Sequence, residues 1–352
     1  MTRRTVLSMA MPVCVAATER KKIEIRGLYS HPKAFWDKGA RLSDYGVNAV
    51  FVHSGSITAE LLARATDEGA RVFAEFPTLN GKGYVEKHAE AWPINEHGEK
   101  APAATWFMGA CPTEPGFRAL RMKQLDALLD TFDIAGVWMD YFHWHAQFED
   151  PNPVLPETCF SQSCVATFEN TSGVRVPAGS AAERARWILK RHAREWRNWR
   201  TSQLLDWARE MKATVRKKRP GALLGVYHCP WTDDEFDGAR RRILGLDLDQ
   251  IATVVDAFSP MVYHGRMRRR PEWVGANVEW LSRKIRNRAK IWPIVQAHNE
   301  PYEISADEFE KVLRLGVSGA ATGVMMFTAQ SVASDDAKMH VLRRVYREWH
   351  SA

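Results

Sequence analysis

Short apolar runs rich in Val, Ile, Phe and Met punctuate the chain, and between them lie longer stretches in which Leu and Ala recur at helical spacing among charged residues. The runs are Ile23 to Tyr29, Ala49 to His53, Arg71 to Pro77, Ile134 to Tyr141, Leu223 to His228, Ala257 to Tyr263, Ile291 to Gln296 and Gly323 to Phe327. Amphipathic segments at Thr58 to Glu68, Gly116 to Leu129, Ala182 to Lys217 and Ser305 to Leu315 predict helices, and Ser305-Ala306-Asp307-Glu308 has the form of a capping box. Eight strands alternating with helices imply parallel pairing through right-handed crossovers, and closure is the simplest way to remove the sheet edges. The expected fold is therefore α/β, a (β/α)8 TIM barrel filling residues 21–352 as one domain, with long loops after strands three and four (Asn80 to Pro115 and Glu149 to Thr158). An open doubly wound sheet is the main competitor, but Arg26-Gly27-Leu28-Tyr29-Ser30-His31 stands where its Gly-rich phosphate loop would follow the first strand.

Composition narrows the class. Of 352 residues, 45% are hydrophobic, enough for one large core, and 14 are Trp, whose flat faces suit stacking on sugar rings as well as core volume. The net charge of +7 collects on helical stretches such as Arg186 to Arg200, a solvated face, and in Arg266 to Arg270, a loop able to meet an anionic ligand. No nucleic-acid-binding motif accompanies it. The start, Thr2-Arg3-Arg4-Thr5-Val6-Leu7-Ser8 and then an apolar stretch to Val15, has the form of a twin-arginine (Tat) export signal over residues 1–20, which places the mature chain in the periplasm or outside the cell. No other run is long and apolar enough to span a membrane, so the mature chain is expected to lack one. Five Cys include Cys14 in that segment; Cys159 and Cys164 are spaced for a small disulfide loop or two free thiols, and two cysteines alone make a poor zinc site.

Barrel enzymes place their chemistry at the C-terminal ends of the strands. Those ends read Tyr29 and His31, His53, Glu75, Asp140, His228, Tyr263 and His264, Gln296 and His298, then Gln330: a nearly complete polar ring, such as many hydroxyl groups would require for directional hydrogen bonds. The densest piece runs from Gly136 through Asp140, Tyr141, Phe142, His143, Trp144 and His145 to Glu149. A lone carboxylate at a strand end is often a helix cap, but Asp140 closes an apolar strand amid aromatic and imidazole groups that would desolvate it. Glycosidic cleavage needs two carboxyl groups; Asp140 suits the nucleophile or base, and Glu75, Glu149 or Glu300 is the possible acid, each with the alternative of a supporting or surface role. Trp106, Trp144 and Trp231 are stacking platforms or core residues on equal terms. His143, His145 and His264 form an alternative metal set, with sugar hydroxyl binding the better reading of the histidines.

The segments Tyr45 to Phe51, Ala110-Cys111-Pro112-Thr113, Gly136 to Tyr141 and Ser259-Pro260-Met261-Val262-Tyr263 resemble the glycosyl-hydrolase-like (β/α)8 barrels, a loose and largely uncharacterised set of bacterial families. In those proteins a Gly-aliphatic-x-x-Asp-Tyr motif ends strand four and Ser-Pro-Met-x-Tyr marks strand six. The likeness covers most of residues 23–330 and is specific for the superfamily rather than the substrate. It implies that Asp140 carries the catalytic carboxylate and that Tyr263 lines a sugar subsite. The chain departs from the chitinase-type pattern, which puts Glu two residues after the strand-four Asp, where Phe142 stands; Cys159 to Cys164 is similar to the cysteine loop of some relatives. The expectation is a cofactor-free, metal-free glycoside hydrolase acting on a poly- or oligosaccharide, possible substrates including anionic glycans, by two carboxylates. Its alternatives are a non-catalytic carbohydrate-binding barrel and a metal-dependent hydrolase or deacetylase built on the three histidines.

Overall fold

A computed structural model describes residues 21–351; the segment 1–20, expected from its sequence to be an export signal, lies outside the described residues. The strands are β1 (Ile25–Tyr29), β2 (Ala49–His53), β3 (Arg71–Pro77), β4 (Gly136–Asp140), β5 (Leu223–His228), β6 (Ala257–Val262), β7 (Lys290–Ile291), β8 (Ile294–Gln296) and β9 (Gly323–Phe327). They pair in parallel from β1 through β6, and β9 returns to β1. Both β7 and β8 pair with β6, because Pro293, which has no N–H to give a ladder, splits the seventh strand in two. Eight strand positions thus close a parallel barrel with helices outside, the (β/α)8 fold.

The helical stretches form at their expected places with local signatures. Thr58 caps Ala59–Asp67 by accepting from the Leu61 N–H, and Glu114 caps Pro115–Thr131. The long stretch after the fourth strand is two helices, Ala181–Arg191 and Ala193–Lys218, parted at His192. Ser305 caps Ala306–Gly316 by accepting from the Glu308 N–H, but only half the capping box forms. The Glu308 carboxylate turns instead to His264 and Tyr302.

Alternation along the strands fills the barrel in layers. Phe51, Phe73, Trp138 and Trp292 form an aromatic floor: Phe51 stacks on Phe73 at 4.7 Å and Trp138 on Trp292 at 5.4 Å between centroids. Trp138 fits because position 225 is glycine, where a Cβ would stand 2.1 Å from its ring. Its indole N–H, which burial would otherwise orphan, donates to Ser259 Oγ at 3.0 Å. Two residues further along β3 and β4, the side chains change from aromatic to carboxyl.

Candidate active site

β3 and β4 carry Glu75 and Asp140 on adjacent strands, both buried, two residues above Phe73 and Trp138. The two carboxyls lie close enough to act on each other, and Tyr29 on β1 acts on Glu75 as well. Burial raises both carboxyls above their usual range, Asp140 strongly, where the neighbouring Glu75 charge adds to it; at Glu75 the influence of Tyr29, His53 and Asp140 offsets part of the rise. Such a pair holds a single negative charge near neutrality. The Tyr141 N–H donates to Asp140 Oδ1 at 2.9 Å, with Tyr141 in the left-handed region at φ 51°. That conformation, costly for a tyrosine, is fixed by packing of its ring against Phe107 at 4.9 Å.

Above Asp140 lies a cleft lined by Trp106, Phe107, Tyr141, His143, Phe148, Glu149, Tyr227 and Met261. Its free space is only ≈ 10 Å³, room for about one water molecule. Glu149 reaches it on a small hairpin in which Gln147 and Val154 exchange both backbone hydrogen bonds at 2.9 Å. Burial lifts the Glu149 carboxyl to about 7, against the pull of Arg266, whose guanidinium lies 3.6 Å away. Arg266 also lies over the Trp106 ring, 4.6 Å from its centroid, and so bridges the loops after β3, β4 and β6.

His143 faces the cleft with a defined tautomer. Its Nδ1 lies 2.8 Å from the Trp144 carbonyl, which can only accept, so Nδ1 carries the proton and Nε2 is an acceptor. Burial lowers its pKa to about 4, keeping it neutral at ordinary pH.

Several other ring residues are committed elsewhere. His145 donates from Nε2 to Pro102 O at 2.7 Å and accepts at Nδ1 from the Gly109 N–H at 3.0 Å, pinning the β3 loop to the β4 loop with no nitrogen left for a ligand. His228 turns out of the barrel: its Nδ1 bonds Cys229 O and its ring packs on Phe258. His264 is fully buried with Nε2 2.7 Å from Glu308, so the three histidines of the metal alternative do not converge. Gln296 spends its amide on Arg266 N–H, His298 O and Glu300 O, positioning the Arg266 loop.

Among the tryptophans only Trp106 borders the Asp140 cleft. Trp144 is fully buried against Trp199 and Arg200 and donates to Arg200 O, a core residue with no face to offer. Trp231 is buried beside Phe148 and Phe236, next to the cleft. Glu300 is exposed. His31 accepts from the Lys33 N–H and packs on Trp36, and His53 accepts from the Gly55 N–H, close enough for its charge to act on Glu75. Tyr263 and His298 pack together on Phe327 behind the carboxyls, and burial lowers His298 to about 4.

Tyr227, Phe107, Phe148 and Met261 are cleft residues that reading strand ends alone does not find. For Tyr227 a signal existed: it follows Gly225 by two residues, so the face that admits Trp138 also bears its phenol. Among the described cysteines none is in a disulfide; Cys164 lies 3.0 Å from Cys111 in sulfur separation, so the small Cys159–Cys164 loop disulfide is not formed.

No protein-family model matches the sequence, and no curated protein does. Solved structures match in fold. The glycoside hydrolase domain of PgaB (BpsB) from Bordetella bronchiseptica aligns over 92% of this chain and 98% of its own, with TM-score 0.66 and 14% identity. A β-galactosidase from the psychrophilic Marinomonas ef1 aligns over 92% of this chain with TM-score 0.67 and 12% identity, and the chain spans 59% of that enzyme. The catalytic domain of β-amylase from Paenibacillus polymyxa aligns over 90% of this chain and 96% of its own, with TM-score 0.59 and 10% identity. The fold is thus the one these glycoside hydrolase barrels share.

Proposed function

We propose that this chain hydrolyses glycosidic bonds, with Glu149 as general acid and Asp140 as the carboxylate that attacks the anomeric carbon or activates water. The observation that carries this reading is that Asp140 and Glu149 line one cleft at the C-terminal end of the barrel while Glu149 is raised to about 7. A group titrating there is still proton-loaded near neutrality, as protonation of a leaving oxygen requires. Its partner must be ionised. Burial and the Glu75 charge favour the proton on Asp140 at rest, so Asp140 acts once that proton has passed to Glu75, a transfer that the Tyr141 N–H assists by favouring the ionised Asp140. Glu75, below the cleft lining, is a positioning residue that holds the proton Asp140 gives up.

His143 Nε2 accepts from a sugar hydroxyl, and Trp106 and Tyr141 supply ring faces at the lip. A sugar ring needs far more room than one water, so side chains lining the cleft must move aside on binding. Arg266 at the rim favours a glycan bearing carboxylates, and the Arg3-Arg4 segment supports a site of action outside the cytoplasm.

The test is a panel of neutral and uronic-acid-containing polysaccharides assayed for new reducing ends with the wild type and Asp140→Asn. Turnover by the wild type that disappears in the variant supports the reading. Equal turnover by both removes Asp140 from the chemistry, and binding without turnover by either makes the chain a carbohydrate-binding barrel.

A further inference from the structure

Three thiols meet where the two long loops join the barrel. Cys111 ends the β3 loop; Cys159 ends the β4 loop, and Cys164 lies in the first turn of the helix Gln162–Ser172. All three are buried, and their Sγ atoms lie within 4.8 Å of one another, Cys111 and Cys164 only 3.0 Å apart. The Thr113 hydroxyl stands 3.2 Å from Cys111 Sγ and 3.0 Å from Cys164 Sγ. The Ile94 N–H donates to Cys159 Sγ at 3.3 Å.

We propose that Cys111, Cys159 and Cys164 bind a structural zinc ion, with the Thr113 hydroxyl, directly or through a water, at the fourth position. A tetrahedral ion with Zn–S bonds of ~2.3 Å sets its sulfurs ~3.8 Å apart, within the spread observed here. Three thiolates are the soft donor set that selects zinc over calcium or magnesium. A disulfide would use two of the sulfurs and leave the third buried without function, whereas one ion employs all three. Charge also fits. Binding forms three S–Zn bonds and releases three protons to solvent, leaving a centre of net charge −1. The buried Arg200 guanidinium, whose charge acts on Cys159 and Cys164, is only loosely paired, with Glu157 3.8 Å away, and balances that charge. The Ile94 N–H to Cys159 bond is the sort of donor that steadies a bound thiolate.

The ion would staple the end of the loop carrying Trp106 and Phe107 to the end of the loop carrying His143 and Glu149. It takes no part in bond cleavage, so the inference stands apart from the glycosidic reading.

The full chain, produced with zinc in the medium and dialysed, is assayed for metal by elemental analysis and for thiols after denaturation with a chelator. About one zinc per chain is expected, with Cys111, Cys159, Cys164 and Cys229 all reacting as thiols, and Cys14 as a fifth where residues 1–20 are retained. Cobalt in its place should give a thiolate-to-metal absorption band in the near ultraviolet. Titrating the folded wild type with a mercurial should release the zinc as the thiols react, a measurement that needs no variant. Cys164→Ser should bind at least tenfold less zinc, and Cys229→Ala, outside the cluster, as much as the wild type. Less than a tenth of an ion per chain, or two thiols missing from the denatured count, overturns the proposal; the second outcome identifies a disulfide.

Discussion

The floor of the barrel and the layer above it are built on the same strands, two residues apart, and they differ in almost every physical respect. Phe73 and Trp138 belong to a dry aromatic layer whose two indole N–H groups are both paired, Trp138 with Ser259 and Trp292 with Thr322. Glu75 and Asp140 lie next along β3 and β4, and there two carboxyls are forced together with one charge between them. The floor gains free energy from burial. The layer above spends some of it, holding groups that would be more stable apart or in water. A rigid floor makes the strained layer possible, because Asp140 cannot relax away from Glu75 without moving β4, which Trp138 wedges against Gly225. Stability and chemistry are therefore separated along each strand by its two-residue period.

The sharpest test exchanges one atom in the upper layer. Asp140→Asn should lower turnover on the order of 10³-fold or more, roughly 4 kcal/mol of transition-state stabilisation, while the melting temperature holds or rises as the repulsion with Glu75 is relieved. A large fall in melting temperature would mean that Asp140 belongs to the scaffold, and the contrast between layers would collapse. The converse substitution is Trp138→Ala. It should cost about 3–5 kcal/mol of stability, measured by denaturant unfolding, and leave the pH dependence of any remaining activity in place.

Glu149 comes next. Glu149→Gln should reduce turnover of substrates with poor leaving groups by ~10²-fold and abolish the fall in activity as pH rises through about 7. The linkage has a definite sign. Because the folded pKa, about 7, exceeds the ordinary carboxyl value of 4.5, the native state binds the proton more tightly than the unfolded chain. Stability from this group is full below 4.5 and is lost as pH rises through about 7, by ~3 kcal/mol as an upper bound. The Gln variant should thus unfold at higher denaturant than the wild type at pH 8 but not at pH 4. Parallel curves at both values would show that Glu149 is not held as a buried acid.

Much of this was legible in the sequence because strand period and burial write themselves locally. β2, β3, β5 and β9 have the bounds their apolar runs predict, and Asp140 ends β4 as its motif implies. The errors share one cause: local sequence does not say which face a polar group takes or which partner burial will assign it. His228 sits out of phase with Gly225, so it leaves the barrel and Tyr227 enters it. His145 and His264 looked like ligands, but they are held by Pro102 and Gly109, and by Glu308, groups far away in the chain. Trp144 is core because Trp199 and Arg200, on a helix more than fifty residues later, close over it. Glu149 is the reverse case: its place nine residues after Asp140 makes it one candidate among three, and only the hairpin through Gln147 and Val154 returns it to the cleft.

The smallest expected effect concerns the rim, where the upper layer meets solvent. Arg266 is held by its own N–H on Gln296 and by Trp106, so Arg266→Gln should leave the fold intact and change chiefly the charge beside Glu149. That guanidinium now opposes the upward pull of burial on the Glu149 carboxyl. Without it the carboxyl should titrate higher, and the alkaline limb of the activity profile should move up in pH on a neutral glycan, with little change at the optimum. On a carboxylated glycan the same variant should also show a raised KM, because the substrate's anion loses its partner. Glu149→Gln made alongside should show no such limb to move. A limb that stays in place in Arg266→Gln would assign the alkaline titration to the Asp140–Glu75 pair, and the acid would then have to be sought within the buried layer rather than at its rim.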